Sequence, residues 1–388
     1  MRILFVNYEY PPLGGGGGLV NAWLAEELAK AHEVAVLTSR AFDLAQTEVV
    51  RGVEIHRSRT LFRRHMAAAN LPTMAPSVLR GTFSGRRLLR ARTFDIITPH
   101  FALPTGPVGA ALAKYGNVPN VLSVHGGDLY DPSKWTSPHR HAVLRMAVRQ
   151  VARRADAVVG QSRNTIDNLQ RFFLPEAEAR RIPLGIPRPR PPVAGRAALD
   201  LPADAIVLIA VGRLVARKRT DELIRLVARL DDERVRLVVV GDGPDAPALA
   251  AQAHAAGVAD QVLFRGYVPD QEKIDLLAAA DLYVSASEHE GFGLVYLEAM
   301  AQGLPVICYD YGGQTDYLTS GVNGAVLPLN DFASFAAAAG ELVRNEEKRQ
   351  AIAERNRNDV EPYFIENCAR RYEALFYELT GAERRSAG

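Results

Sequence analysis

The sequence predicts an α/β protein with two doubly wound parallel-sheet domains facing each other across a cleft. Three observations predict it. The chain of 388 residues is longer than one hydrophobic core usually supports. Short, almost wholly apolar strands alternate with helical segments twice over, the pattern of parallel sheets covered on both faces. Between the two series lies Ile182–Pro192, IPLGIPRPRPP, whose prolines exclude both helix and central strand.

In the first series Arg2–Asn7 reads as a strand, Leu19–Ala31 as an amphipathic helix and Glu33–Thr38 as a second strand. Asp95–Thr98, Asn120–Val124 and Ala157–Gly160 are further buried strands. The second series has strands at Ile206–Val211, Arg236–Val240, Val262–Phe264, Leu282–Ser285 and Pro305–Cys308, with helices between them. The expected division is residues 1–186, a connector at 187–194, and residues 195–361. The last helix, within 362–380, is expected to pack back on the first domain through Tyr372, Leu375, Phe376 and Leu379. Ligands of such sheets bind beyond the carboxyl ends of the strands.

Composition excludes several classes. No run of eighteen apolar residues exists, so no membrane span is expected. Arg2–Val6 reads as a strand without the apolar core and cleavage site of a secretory signal, so none is expected. Cys308 and Cys368 stand in neither a disulfide nor a metal spacing, which points to a reducing, cytoplasmic setting. Charge is uneven: residues 1–186 carry 24 Lys+Arg against 14 Asp+Glu, and residues 187–388 carry 22 against 30. Arg51–Arg92 holds ten arginines and one acid, Glu54, among Leu61, Phe62, Met66, Leu79 and Phe83. Such a stretch suits either plain solvation or peripheral contact with anionic lipid. Nucleic acid is not expected, because no aromatic platform accompanies the arginines.

Ser285–Cys308, SASEHEGFGLVYLEAMAQGLPVIC, is the richest segment. Glu290 precedes a helix and Glu298 lies inside it, eight positions on. Gly291, Phe292, Gly293 and Leu294 form the turn at the helix start, where exposed N–H groups favour anions and close ligands. Glu298 in an apolar helix needs polar partners, and ribose hydroxyls are suitable. In Val211–Lys218, VGRLVARK, Gly212 and Arg213 follow a strand and Lys218 stands five further on. A guanidinium fork and an ammonium there suit phosphate oxygens. Gly14–Gly18 is an unbroken glycine run before a helix, an anion cradle centred on Gly15, Gly16 and Gly17. In Ser123–Tyr130, SVHGGDLY, His125, Gly126 and Asp128 follow a buried strand. Asp128 is suited either to acceptor contact or to helix capping.

These residues together resemble the retaining GT-B glycosyltransferases, specifically glycosyltransferase family four (glycosyl transferases group 1). EGFG, LEAMA and GLPVI match that family's E-(seven residues)-E signature nearly residue for residue. The resemblance implies a nucleotide-diphosphate sugar as donor, a UDP- or GDP-sugar, and a hydroxyl acceptor on a glycolipid, polysaccharide precursor or small metabolite. It assigns the donor diphosphate to Arg213 and Lys218, the donor to Glu290 and Glu298, and the base to the backbone of Gly266, Tyr267 and Val268. The glycine loop is assigned to donor phosphates and acceptor, and His125 to the reacting sugar. The family's Asn-Gly-Val-Asp before the connector is replaced here by Leu184, Gly185, Ile186 and Pro187.

No Asp-x-Asp motif follows a strand of the second domain, so leaving-group stabilisation by the two cations, without metal or a tightly bound cofactor, is expected. A nucleotide-sugar epimerase and a catalytically silent nucleotide-sugar binder remain open on the same fold, as do a monomer and a homodimer. A dinucleotide-dependent dehydrogenase fits less well, since about seven residues separate Asn7 from the first glycine.

Overall fold

The computed structural model describes residues 1–60 and 71–382. Leu61, Phe62 and Met66 of the basic stretch lie outside these residues. The chain divides into two compact units, Met1–Pro187 with Tyr363–Gly388, and Arg188–Pro362.

Unit 1 contains β1 (Arg2–Asn7), α1 (Gly16–Leu28), β2 (Glu33–Arg40), β3 (Thr47–Val50), β4 (Val53–Arg59), α2 (Leu71–Ala91) and β5 (Ile96–His100). It continues with α3 (Thr105–Gly116), β6 (Val121–Val124), α4 (Ala142–Arg153), β7 (Ala157–Gly160), α5 (Arg163–Phe172) and β8 (Ala179–Arg181). The sheet runs β3-β4-β2-β1-β5-β6-β7-β8. Among the described residues only β3 is antiparallel, paired with β4. Strand order reverses at β1, which lies between β2 and β5.

Unit 2 contains β9 (Ile206–Val211), α6 (Thr220–Leu230), β10 (Val235–Val240), α7 (Ala246–Ala255), β11 (Val262–Gly266) and α8 (Asp270–Ala279). After these come β12 (Leu282–Ser285), α9 (Leu294–Ala301), β13 (Val306–Tyr309), β14 (Gly324–Leu327), α10 (Phe332–Arg344) and α11 (Glu346–Asp359). Its strands, all parallel, are ordered β11-β10-β9-β12-β13-β14. Here the order reverses at β9, between β10 and β12. The chain then returns to unit 1 as α12 (Ile365–Thr380). There Tyr372 and Phe376 are fully buried with Phe5, Leu24 and Val36, and the Tyr372 and Ser123 hydroxyls are hydrogen-bonded.

One local expectation is corrected. Helix α1 starts at Gly16 rather than Leu19, taking three glycines into its first turn. Glycine is a poor helix former, so local propensity hides this turn, whereas packing of Val20, Leu24 and Leu28 in the core sustains it. The basic stretch begins as the β3–β4 hairpin, turning at Arg51 and Gly52, before α2 takes over. Exposed Val49 and Val50 leave β3 without the two-residue alternation that marks a half-buried strand.

Candidate functional site

In unit 2 the site forms at the strand-order reversal, where the loops after β9 and β12 leave the same sheet edge. Backbone contact fixes the first loop. The Gly212 N–H donates to Val240 O at 2.9 Å and the Leu214 N–H to Asp242 O at 3.0 Å. A Cβ at Gly241 would lie 1.9 Å from the Gly212 oxygen, so only glycine permits this approach. A short helical turn, Ala216–Lys218, then carries Lys218 back to the strand end.

Lys218 Nζ donates to Glu290 Oε1, and Arg217 Nη1 lies 4.0 Å from the same oxygen. The Lys218 and Glu290 side chains are only 15% and 11% exposed, so water screens the pair weakly. Burial pushes the Glu290 carboxyl up, but Lys218, Arg217 and a hydrogen bond from Ser287 outweigh it and hold the group below its ordinary range. Arg217 also donates to His289 O at 3.0 Å, while the Glu288 N–H donates to Arg217 O at 2.9 Å, clasping the two loops. Arg213 is exposed, lines one pocket with Lys218, Ser285 and Ser287, and makes no side-chain hydrogen bond or ion pair among the described residues.

The second loop is held from below. The Tyr296 hydroxyl donates to Ser285 Oγ at 2.9 Å, and the Tyr317 hydroxyl lies 2.8 Å from both the Phe292 and Gly293 carbonyls. Gly293, at φ +85°, caps the N-terminus of α9, so Gly291, Phe292 and Leu294 surround a helix start as expected. Glu298 faces α8 instead: Lys273 Nζ donates to its Oε1 at 2.9 Å, and its buried Oε2 has no hydrogen-bond partner. Burial raises this carboxyl above its ordinary range, and Lys273 offsets only part of the rise. Gly266 ends β11 at φ +66°, Tyr267 beyond it is exposed and Val268 is buried.

In unit 1 the glycine run enters α1 at Gly16, and the N–H groups of that first turn have no partner within the helix. Glu9 Oε2 accepts the Gly15 N–H at 3.3 Å, so this end already draws a carboxylate. Gly17 packs on Phe101, where a Cβ would meet the ring at 2.5 Å. His125 follows β6 and is 8% exposed. Its Nε2 shares a hydrogen bond of 3.1 Å with Nδ1 of His100, the last residue of β5. Burial depresses both imidazoles, His125 to about 3, so both are neutral at pH 7. Asp128 caps no helix: it accepts the His125 N–H at 2.9 Å and the Ala102 N–H at 2.5 Å, tying the loops after β6 and β5. Burial lifts its carboxyl to about 6 despite these bonds. Gly126, at φ +77°, makes the turn between His125 and Asp128.

Thus Lys218 joins Glu290, Arg213 shares a pocket with Lys218, and Glu298 takes a cation of its own. Lys273 and His100 carry no motif of their own in the sequence, because each acts through a partner on another helix or strand.

Two family descriptions match the chain: "Glycosyltransferase Family 4" over residues 14–190 and "Glycosyl transferases group 1" over residues 195–359. The glycogen synthase of Mycobacterium tuberculosis is 30% identical over 377 residues, covering 92% of this chain and 90% of that protein. The chain belongs to this glycosyltransferase family. Among solved structures, the glycosyltransferase superposes on sucrose-phosphate synthase from Thermosynechococcus elongatus with a TM-score of 0.86 at 22% identity, covering 99% of this chain and 100% of the other. It superposes on Anabaena HepE in complex with UDP-glucose with a TM-score of 0.75 at 21% identity, covering 98% and 100%. The family transfers sugars from nucleotide-sugar donors, and the two parallel-sheet units are those of the GT-B fold. Among the described residues no helix is long and apolar enough to cross a membrane.

Proposed function

We propose that this glycosyltransferase moves a hexosyl group from a UDP- or GDP-sugar to a hydroxyl acceptor with retention of configuration, and that Arg213 and Lys218 hold the donor diphosphate. One observation carries the assignment. Arg213 stands uncommitted beside Lys218 at the reversal between β9 and β12, the position where open sheets take ligands. As the sugar–phosphate bond breaks, negative charge grows on the departing diphosphate, and fixed cations there lower the barrier. Glu290 holds Lys218 in place and presents its remaining oxygen to donor sugar hydroxyls. The unpartnered Glu298 Oε2 suits a ribose hydroxyl. The Gly266–Val268 backbone is assigned to the base.

His125, neutral and weakly basic, is suited to a hydrogen bond with the reacting sugar rather than to proton abstraction near pH 7. The donor phosphate is then the acceptor of the incoming hydroxyl's proton, in a same-face displacement. The acceptor side is assigned to unit 1, where exposed Trp135, Val143 and Met146 lie among Arg140, Arg145 and Arg149. That mixture suits peripheral contact with anionic lipid, measured by co-sedimentation with phosphatidylglycerol vesicles. Two buried thiols, Cys308 and Cys368, fit a cytoplasmic setting.

The deciding experiment is Arg213→Ala. This side chain is exposed and unpaired, so the melting temperature should hold while turnover drops by about two to three orders of magnitude. Undiminished turnover would remove the diphosphate assignment. Proton NMR of the product linkage reads retention directly.

A further inference from the structure

Lys218 is followed by a residue in an unfavourable conformation. Arg219 takes φ +48°, in the left-handed region that glycine adopts freely and other residues adopt at a cost. Such a residue persists only where its surroundings hold it. The Lys218 N–H donates to Val215 O at 2.8 Å and the Arg219 N–H to Ala216 O at 3.0 Å, closing the short turn that brings Lys218 to the strand end. The Arg219 side chain anchors that turn to three other elements. Its Nη2 donates to Glu222 Oε1 in α6, and its Nη1 donates to Asn330 Oδ1, 2.5 Å away between β14 and α10. Its Cζ lies 5.7 Å from the centre of the Tyr309 ring in β13.

Tyr309 extends this anchor to the other half of the site. Its hydroxyl donates to Glu222 Oε2 at 2.8 Å, and the residue is fully buried at the end of β13. The loop leaving β13 there grips Glu290 by its backbone: the Glu290 N–H donates to Tyr311 O at 3.3 Å, and Glu290 O accepts the Gly313 N–H. Glu222 is 3% exposed and has both oxygens committed, one toward the Lys218 turn and one toward the strand that carries the Glu290 clasp. A buried carboxylate is tolerated when its oxygens are all partnered, so these groups hold together as a unit. Lys218 offers a phosphate a point charge on a flexible stem, and its placing therefore depends on the backbone that carries it.

We infer that Arg219 is a positioning residue for Lys218: anchored on Glu222, Asn330 and Tyr309, it fixes the turn so that the Lys218 ammonium stands beside Glu290 where the donor diphosphate binds. The inference rests on the assignment of Lys218 to the diphosphate and adds to it a residue that acts through Lys218 without touching the donor.

Calorimetric titration of the full chain with UDP and with GDP tests it. Arg219→Gly keeps the backbone conformation and removes the anchor, and it should weaken binding of the nucleotide about tenfold. If Arg219 acts through Lys218, that loss disappears once the ion pair is gone. In a Lys218→Met, Glu290→Gln background, which leaves no unpaired charge behind, Arg219→Gly should change affinity by less than about twofold. A general loosening of unit 2 would instead weaken binding equally in both backgrounds. Equal losses, or full affinity in Arg219→Gly alone, overturn the positioning role and leave the donor reading standing. Should Arg219→Gly not fold, Asn330→Gly takes its place in the same comparison with the same outcomes; this position is exposed, and its φ of +72° suits glycine. No binding of either nucleotide to the unaltered chain, or full affinity in the Lys218→Met, Glu290→Gln background, would instead strike the diphosphate assignment on which the inference depends.

Discussion

Lys218 and Glu290 meet largely out of bulk water, where a lone charge of either sign is costly. The pair is therefore worth most as a unit. Lys218→Met should destabilise the protein by about 3–5 kcal/mol at pH 7, measured by urea unfolding, because the nearest cation left to Glu290 is Arg217, 4.0 Å away. Adding Glu290→Gln should recover part of that stability and none of the activity. The sign with pH follows from the depressed Glu290 carboxyl. Its stabilisation is present above the ordinary carboxylate range, about pH 4, and is lost as pH falls through the lower folded value. Asp128 runs the other way. Its folded pKa is raised to about 6, so its contribution favours the fold below about pH 4 and is lost as pH rises to about 6. Asp128→Asn should flatten stability across that window. An unchanged slope would show that Asp128 does not titrate there.

At the scale of elements, loops and helices hold the chemistry by backbone contact. The segment before α9 pairs with the one after β13: the Gly313 N–H donates to Glu290 O at 2.9 Å. Between them Gly312 sits at φ +140°, and a Cβ there would lie 2.1 Å from the same oxygen. Gly312→Ala should therefore push Glu290 away from Lys218, lowering stability by about 2 kcal/mol or more and depressing turnover beyond what the unfolded fraction explains. Thermal melts and rates on the same samples check this. The elements were unequally legible. Strands β1, β9 and β12 showed as apolar runs because they are buried on both faces. The exposed β3 and the glycine turn of α1 showed weakly, because packing and pairing rather than local preference hold them.

Over the whole molecule, the division into units is not a division of the sequence into halves. Unit 2 is one continuous span with a contiguous core, from Leu208 and Leu237 to Phe335. Unit 1 needs α12, which the chain makes last and which brings Ile365, Tyr372 and Phe376 into the core of β1 and α1. A chain ending at 362 should thus keep the cooperative melt of unit 2 and lose that of unit 1. Circular dichroism melts with and without UDP resolve the two. A truncated chain that retains both transitions would refute a structural role for α12.

What the sequence by itself determined was whatever local pattern encodes: the two alternating series, the proline break, and the motifs that place Arg213, Lys218, Glu290 and Glu298 after particular strands. Only tertiary structure decided which of these groups touch. Lys218 meets Glu290 across 72 residues, Lys273 meets Glu298 across 25, and His100 meets His125 across 25. Such partners follow from strand order and packing, and a buried charge takes its final character from the neighbour that packing gives it.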